Sequence, residues 1–257
     1  MKFGSVSNPE EVDFSLPVDA PDTFKVLKAH KPKPLKVYVG CAKWNRTDLK
    51  GFYPRGTKDE LAYYATQFNS IELNATFYRQ FPAETFANWA HKTPDNFRFF
   101  PKLFQGISHW KRLQDHHADL ETFVLNASNL NHKLEMAFLQ LHANFGPKNF
   151  DRLVPFFESL PKGFPLGIEF RHPDWYANPD IKQQLHNVLN THQIAHIIVD
   201  TAGRRDLLHM QLSTAVAFIR YNGANHISDY DRLDAWVERL ASWVEKGLDT
   251  IYFFVRN

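Results

Sequence analysis

Residues 166–199 read LGIEFRHPDWYANPDIKQQLHNVLNTHQIAHIIV. Leu166 to Phe170 is a short apolar run interrupted by Glu169, with the length and composition of a buried strand. Asn178-Pro179 then starts a helix: the asparagine can cap the first-turn amides, and the proline sits where a missing N–H is harmless. Ile181, Leu185, Val188 and Leu189 recur at helical spacing, so that helix has one buried face. Ala195 to Val199 is a second β-branched strand. Strand, helix and strand at this spacing form a crossover unit, which makes the strands parallel.

The same alternation extends in both directions. Upstream, Val37-Tyr38-Val39, Ser70–Leu73, Phe97–Phe100 and Ala137–Leu141 read as strands. The helices after them bury, in turn, Leu61, Tyr64, Ala65 and Phe68; Phe86, Trp89 and Ala90; Leu120, Phe123, Val124, Ala127 and Leu130; and Phe150, Leu153, Val154 and Phe157. Thr57-Lys58-Asp59-Glu60 reads as a capping box for the first of these, and Pro155 shortens or kinks the last. Downstream of Val199 comes a poorly periodic segment, then a strand from Val216 to Tyr221. A helix burying Leu233, Val237, Leu240 and Val244 follows, stopped by Gly247, and Ile251–Val255 is the last strand.

Eight strands alternating with helices predict an α/β fold, a TIM-type (β/α)8 barrel over residues 36–257 that lacks its last helix. An open doubly wound sheet is the alternative. No G-x-G-x-x-G or P-loop follows a strand, which disfavours nucleotide binding of those kinds. Residues 1–35 carry prolines at 9, 17, 21, 32 and 34 that interrupt helical patterns. They are expected to be an N-terminal extension that wraps the domain and covers the place of the missing helix.

Composition narrows the function classes. Hydrophobic residues make up 44% and aromatics 15% of the 257 residues, enough for a large core, so disorder throughout is excluded. Lys and Arg number 30 against 28 Asp and Glu, too balanced for nucleic acid to be the default partner. Cys41 is the one cysteine, which rules out an internal disulfide and a Cys-rich zinc site. No apolar run is long enough to span a membrane, and residues 1–16 have no signal-like apolar core. A soluble, cytoplasmic protein without membrane partners is expected.

In a parallel barrel, chemistry gathers at the carboxyl ends of the strands. Trp44, Glu72, Asn74, Tyr78, Lys102, Gln140, His142, Glu169, Arg171, His172, Trp175, Asp200, Arg220 and Asn257 fall there. Glu169 is the candidate main acid/base, with Glu72 or Asp200 second. Arg171, Arg220 and Lys102 would hold an anion, and Asn74 and Gln140 would orient it. Trp44, Tyr78 and Trp175 could stack on a sugar or base, or pack beneath a loop; His142, His172 and Asn257 would line the mouth. The bland alternative is a structural ion-pair network, for example Glu169 with Arg220. His142, Glu169, His172 and Asp200 are also hard or borderline metal ligands. No tight ligand spacing supports them, so no cofactor is assigned and a divalent metal is not favoured. Cys41 has no evident activating neighbour.

Several runs carry a family resemblance. Phe52-Tyr53-Pro54, Ile71-Glu72-Leu73-Asn74-Ala75-Thr76-Phe77-Tyr78-Arg79, Phe138-Leu139-Gln140-Leu141 and Gly167-Ile168-Glu169-Phe170-Arg171-His172-Pro173-Asp174-Trp175 resemble the YecE-like family, domain of unknown function 72. The resemblance runs from about Val37 to the end and implies a TIM-barrel-like fold. That barrel looks similar in outline to metal-dependent sugar isomerases and apurinic endonucleases, an analogy of fold alone. This chain departs from the pattern at Cys41-Ala42-Lys43-Trp44 and at His142-Ala143, both at the expected mouth.

Three functions compete on these readings. The leading one is an enzyme, a hydrolase, lyase or isomerase, acting by acid/base chemistry on a small or phosphate-bearing anionic substrate such as a sugar phosphate or phosphodiester. The second is a nucleic-acid-binding protein without catalysis. The third is a small-molecule sensor or scaffold that has lost its chemistry.

Overall fold

The computed structural model describes residues 4–31 and 33–256. In chain order the helices are α1 (Pro21–Ala29), α2 (Glu60–Gln67), α3 (Ala75–Tyr78), α4 (Ala83–His91), α5 (His117–Ala127), α6 (Leu153–Glu158), α7 (Asp174–Ala177), α8 (Pro179–Thr191) and α9 (Ser228–Glu245). The strands are β1 (Lys36–Cys41), β2 (Ser70–Leu73), β3 (Arg98–Pro101), β4 (Ala137–Gln140), β5 (Leu166–Glu169), β6 (Ala195–His196), β7 (Ile198–Asp200), β8 (Val216–Asn222) and β9 (Thr250–Arg256). This is a mixed α/β fold with parallel sheets. Among the described residues no helix is long and apolar enough to cross a membrane.

The chain forms two compact units. The first comprises residues 38–142 and 149–166; the second comprises, of the described residues, those up to 37, 143–148 and those from 167 on.

In the first unit β1, β2 and β3 pair in parallel, with Cys41 opposite Ile71 and Glu72 opposite Phe100. A parallel bridge between Lys102 and Phe138 sets β4 beside β3. Every residue of β2 is buried, as a parallel strand covered on both faces requires. Gly40 is needed where β1 closes on β2: a Cβ there would lie 2.1 Å from the Ser70 carbonyl oxygen. Tyr64 of α2 completes that junction, its hydroxyl accepting from the Cys41 amide at 2.6 Å and donating to the Ser70 carbonyl at 3.0 Å.

The expected capping box does not form. Asp59 caps α2 by accepting from the Ala62 amide at 3.0 Å. Thr57 donates instead to the Pro54 carbonyl, and Glu60 is drawn away by the Arg46 amide and guanidinium. A better-placed acceptor one residue inside the box, with a cation competing for its glutamate, displaces the motif.

The second unit joins β5 to β6 and runs β7, β8 and β9 in parallel, with Val199 opposite Arg220 and Arg220 opposite Phe254. The predicted sixth strand is thus divided into β6, on β5, and β7, on β8. Ile197 between them still donates its amide to Ile168 at 2.9 Å. Trp236, Leu240 and Trp243 of α9 share a core with Ile219, Tyr221 and Phe253 of the strands beneath.

The reading of the first 35 residues as broken by proline needs correction at α1. Pro21 stands in the first turn, where its fixed φ starts a helix rather than ending one. Leu27 of α1 enters the core, and the Thr23 hydroxyl donates to the Met210 carbonyl at 2.8 Å and accepts from the Leu212 amide at 3.0 Å.

Also in the second unit, two buried imidazoles stack: His196 and His209, with ring centroids 3.7 Å apart, lie beside Tyr176. His209 bonds the Ile197 carbonyl at 3.1 Å through Nε2 and accepts from the Gln211 amide at 3.4 Å through Nδ1, the pattern of a neutral ring. Burial pushes His209 down to about 3 from its ordinary 6.5, and holds His196 well below that value, with His209 as its next cause. The unfolded chain therefore binds protons that the folded chain refuses. Stability is full above pH 6.5 and falls as pH drops toward 3, by about 1.4 kcal/mol per pH unit for each such histidine. Urea midpoints at pH 7 and pH 5 check this; His209→Gln should flatten the difference.

Candidate functional site

Along β5 positions 167 and 169 share a face. A Cβ at Gly167 would touch Ile197 and Phe218, so this is also the face of Phe218 and, two residues on, Arg220. The arrangement brings Glu169 to two guanidiniums. Its Oε1 accepts from Arg171 Nε at 2.6 Å, and its Oε2 accepts from Arg220 Nη1. Glu169 and Arg220 are wholly buried, whereas the Arg171 side chain retains 17% of its surface. Arg204 donates to the Arg171 carbonyl at 3.4 Å. His172 is partly exposed and lies against Gly146, its Nδ1 accepting from the Asp174 amide at 3.3 Å. The ion pair that the sequence offered as the bland alternative is therefore present.

Two of the expected site residues do other work. Asp200 stands opposite Tyr221 in register, so it shares the face of Tyr221 rather than that of Arg220. There it is buried under α9. Oδ1 takes Arg232 Nη2 at 2.8 Å and also Arg205, while Oδ2 takes the Trp236 indole at 2.7 Å. Both of its oxygens are engaged in this anchor, on the strand face away from Arg220. Trp175 is fully buried between Phe170 and Phe145 and donates its indole N–H to the Phe145 carbonyl at 2.7 Å. It packs beneath the loop and offers no face to a ligand.

The first unit holds a second polar group at its strand ends. Glu72 is fully buried and accepts from Asn74 at 2.6 Å. Lys102 is buried, donates to Gln140 at 2.7 Å, and lies 3.8 Å from the centroid of the Phe77 ring. His109, which the sequence reading passed over, touches Phe77 and His142 edge-on at 4.8 and 5.1 Å. Its Nδ1 is 2.8 Å from the Ser108 hydroxyl. No spacing pattern marks it, because an irregular turn aims it. Tyr78 stands exposed, and Trp44 packs edge-on against Trp89. Asn257 lies outside the described residues.

Among the described residues no three His, Cys, Asp or Glu side chains gather as a metal site. Burial pushes the Cys41 thiol up, which disfavours a nucleophilic thiolate.

The family described as "Protein of unknown function DUF72" matches residues 38–257. The chain belongs to the DUF72 family. This DUF72 chain is 30% identical over 244 residues to UPF0759 protein YecE of Escherichia coli (strain K12), covering 86% of each. It is 27% identical over 158 residues to UPF0759 protein YunF of Bacillus subtilis (strain 168), covering 58% of this chain and 55% of YunF. Among solved structures it resembles a DUF72 family protein from Thermotoga maritima MSB8, with TM-score 0.71 and 27% identity over 86% of this DUF72 chain and 92% of that one. A DUF72 family protein from Enterococcus faecalis V583 shares the fold, with TM-score 0.70 and 20% identity over 88% of this chain and 92% of the other.

Proposed function

We propose that this DUF72 chain is an enzyme working by acid/base chemistry on a polar anionic substrate, a sugar phosphate or a phosphodiester. The observation that supports this is the cluster of Arg171, Glu169 and Arg220. Burying a carboxylate and a guanidinium costs several kcal/mol per ion, and hydrocarbon of the same volume would stabilise a core as well. On this reading Arg171, the member that reaches solvent, meets the anion with its guanidinium fork. Arg220 fixes Glu169 so that its carboxylate can exchange a proton with the bound substrate. His172 follows Arg171 and is read as a further binding residue. In the first unit Glu72 with Asn74, and Lys102 with Gln140 and His142, are read as binding groups of their own. Closure of the strands into a (β/α)8 barrel over 36–257, residues 1–35 as its extension, and a cytoplasmic home belong to the same proposal.

Inorganic phosphate and a panel of phosphate esters, followed by thermal shift, test it. Phosphate should stabilise the protein. Arg171→Ala should weaken the phosphate affinity read from that shift about tenfold or more, the worth of a charge-assisted hydrogen bond. An unchanged phosphate effect in this variant would remove the support for the reading. So would strongly salt-dependent duplex binding with no response to small phosphates.

A further inference from the structure

The first unit carries aromatic surface that the proposed chemistry does not use. Tyr78, the last residue of α3, is 69% exposed, and Trp110 is 66% exposed. Trp110 ends a π-helical turn, Gly106–Trp110, in which the Lys111 amide reaches back to the Gly106 carbonyl at 3.0 Å. Such turns are rare, and frequent at functional sites. A Cβ at Gly106 would lie 2.4 Å from the Phe104 ring, so the turn depends on glycine. Arg112, Leu113 and Asp115 then take φ of 50°, 64° and 45°, a left-handed conformation that is uncommon for arginine and leucine and more readily taken by aspartate. Strain of this kind is retained where it holds something in place.

What it holds is an aromatic assembly with polar groups beside it. Tyr78 sits edge-on to Phe77 at 5.2 Å, and Phe77 edge-on to His109, the residue before Trp110. Trp110 in turn sits edge-on to Phe104 at 5.4 Å, and the Gln105 amide donates to the Tyr78 carbonyl at 3.2 Å. Residues 77–78 and 104–110 are thus tied together. Lys102 and Gln140 lie behind Phe77, and His142 beside His109. Two cations beside the assembly are engaged: Lys111 pairs with Asp119 at 2.9 Å, and Arg79 lies over the Phe81 ring at 4.2 Å. A nucleic-acid strand asks for a cationic track beside its stacking platform. Exposed aromatic faces edged by amide and imidazole groups suit a neutral ring carrying hydroxyls.

We propose that Tyr78 and Trp110 form a carbohydrate-binding shelf, stacking on a sugar ring whose hydroxyls meet the half-buried His142 and His109. This does not rest on Arg171 holding an anion.

The test uses neutral probes: methyl glucosides, methyl ribosides and the disaccharides maltose and cellobiose, read by saturation-transfer NMR and tryptophan fluorescence. At least one should bind saturably. Trp110→Ala and Tyr78→Ala should each weaken it about 3- to 10-fold, the usual worth of an aromatic contact. Both side chains are exposed, so the melting temperature should move by no more than about 2 °C. No binding across the panel overturns the shelf, as does binding that neither substitution weakens. Tighter, salt-dependent binding of a single-stranded oligonucleotide through the same residues overturns it in favour of nucleic acid. Phosphate binding should be unchanged in Trp110→Ala. Sugar binding without any phosphate response would leave the shelf standing and remove only the reading of Arg171.

Discussion

Replacing Asp200 with alanine should cost about 3–5 kcal/mol of stability, because it leaves buried guanidinium without its carboxylate. The Arg232 side chain is 2% exposed and Asp200 is wholly buried, so water cannot stand in for the lost partner. The Trp236 indole N–H loses its acceptor in the same change. Arg232 keeps Asp229 at 2.8 Å and lies 4.4 Å from the rings of both Phe14 and Tyr221, which limits the loss. Asp200→Asn preserves shape and one acceptor, and should cost less, about 1–3 kcal/mol. Urea unfolding at pH 7 measures both. A stable Asp200→Asn protein that has lost all turnover would return Asp200 to the chemistry and defeat the anchoring role.

The second large effect concerns Glu169 and Arg220. Glu169→Ala and Arg220→Ala should each destabilise by about 3–5 kcal/mol, since each strands a buried charge. The double variant Glu169→Leu with Arg220→Met should recover most of that, because apolar groups of similar size need no partner. The difference between the double change and the sum of the singles measures the coupling. Function separates from stability at this point. Glu169→Gln keeps the volume and should retain a folded protein with little turnover on any phosphate ester the wild type processes. If the Leu/Met double variant folds and still responds to phosphate and turns substrate over, the pair is a strut and the catalytic proposal fails.

Much of this architecture is legible in the sequence, and each failure has its own physical cause. The order of strands and helices follows from apolar period and from punctuation such as Asn178-Pro179, whose side chain does cap α8, accepting from the Asp180 amide at 2.8 Å. Register is invisible. Ile198-Val199-Asp200 is buried on both sides, so no polar face marks which residues look toward α9. The pairing of Val199 with Arg220 decides it, and sends Asp200 the other way. Glu169 was recoverable because it is the lone carboxylate in the apolar run of β5, with Arg171 two residues on. His109 was not, because a π-helical turn has no sequence period of its own to betray it. Pro21 misled because a proline that begins a helix and one that breaks it look alike until the packing of Leu27 is known.

Tyr64 has a consequence for how the first unit comes apart. Its phenol spans the edges of β1 and β2, so one bond that holds the two strands together is supplied from α2. The Cys41 amide is therefore guarded by the docking of a helix. Solvent reaches that proton only when α2 lifts away, and the helix and the two strands open as one cooperative piece.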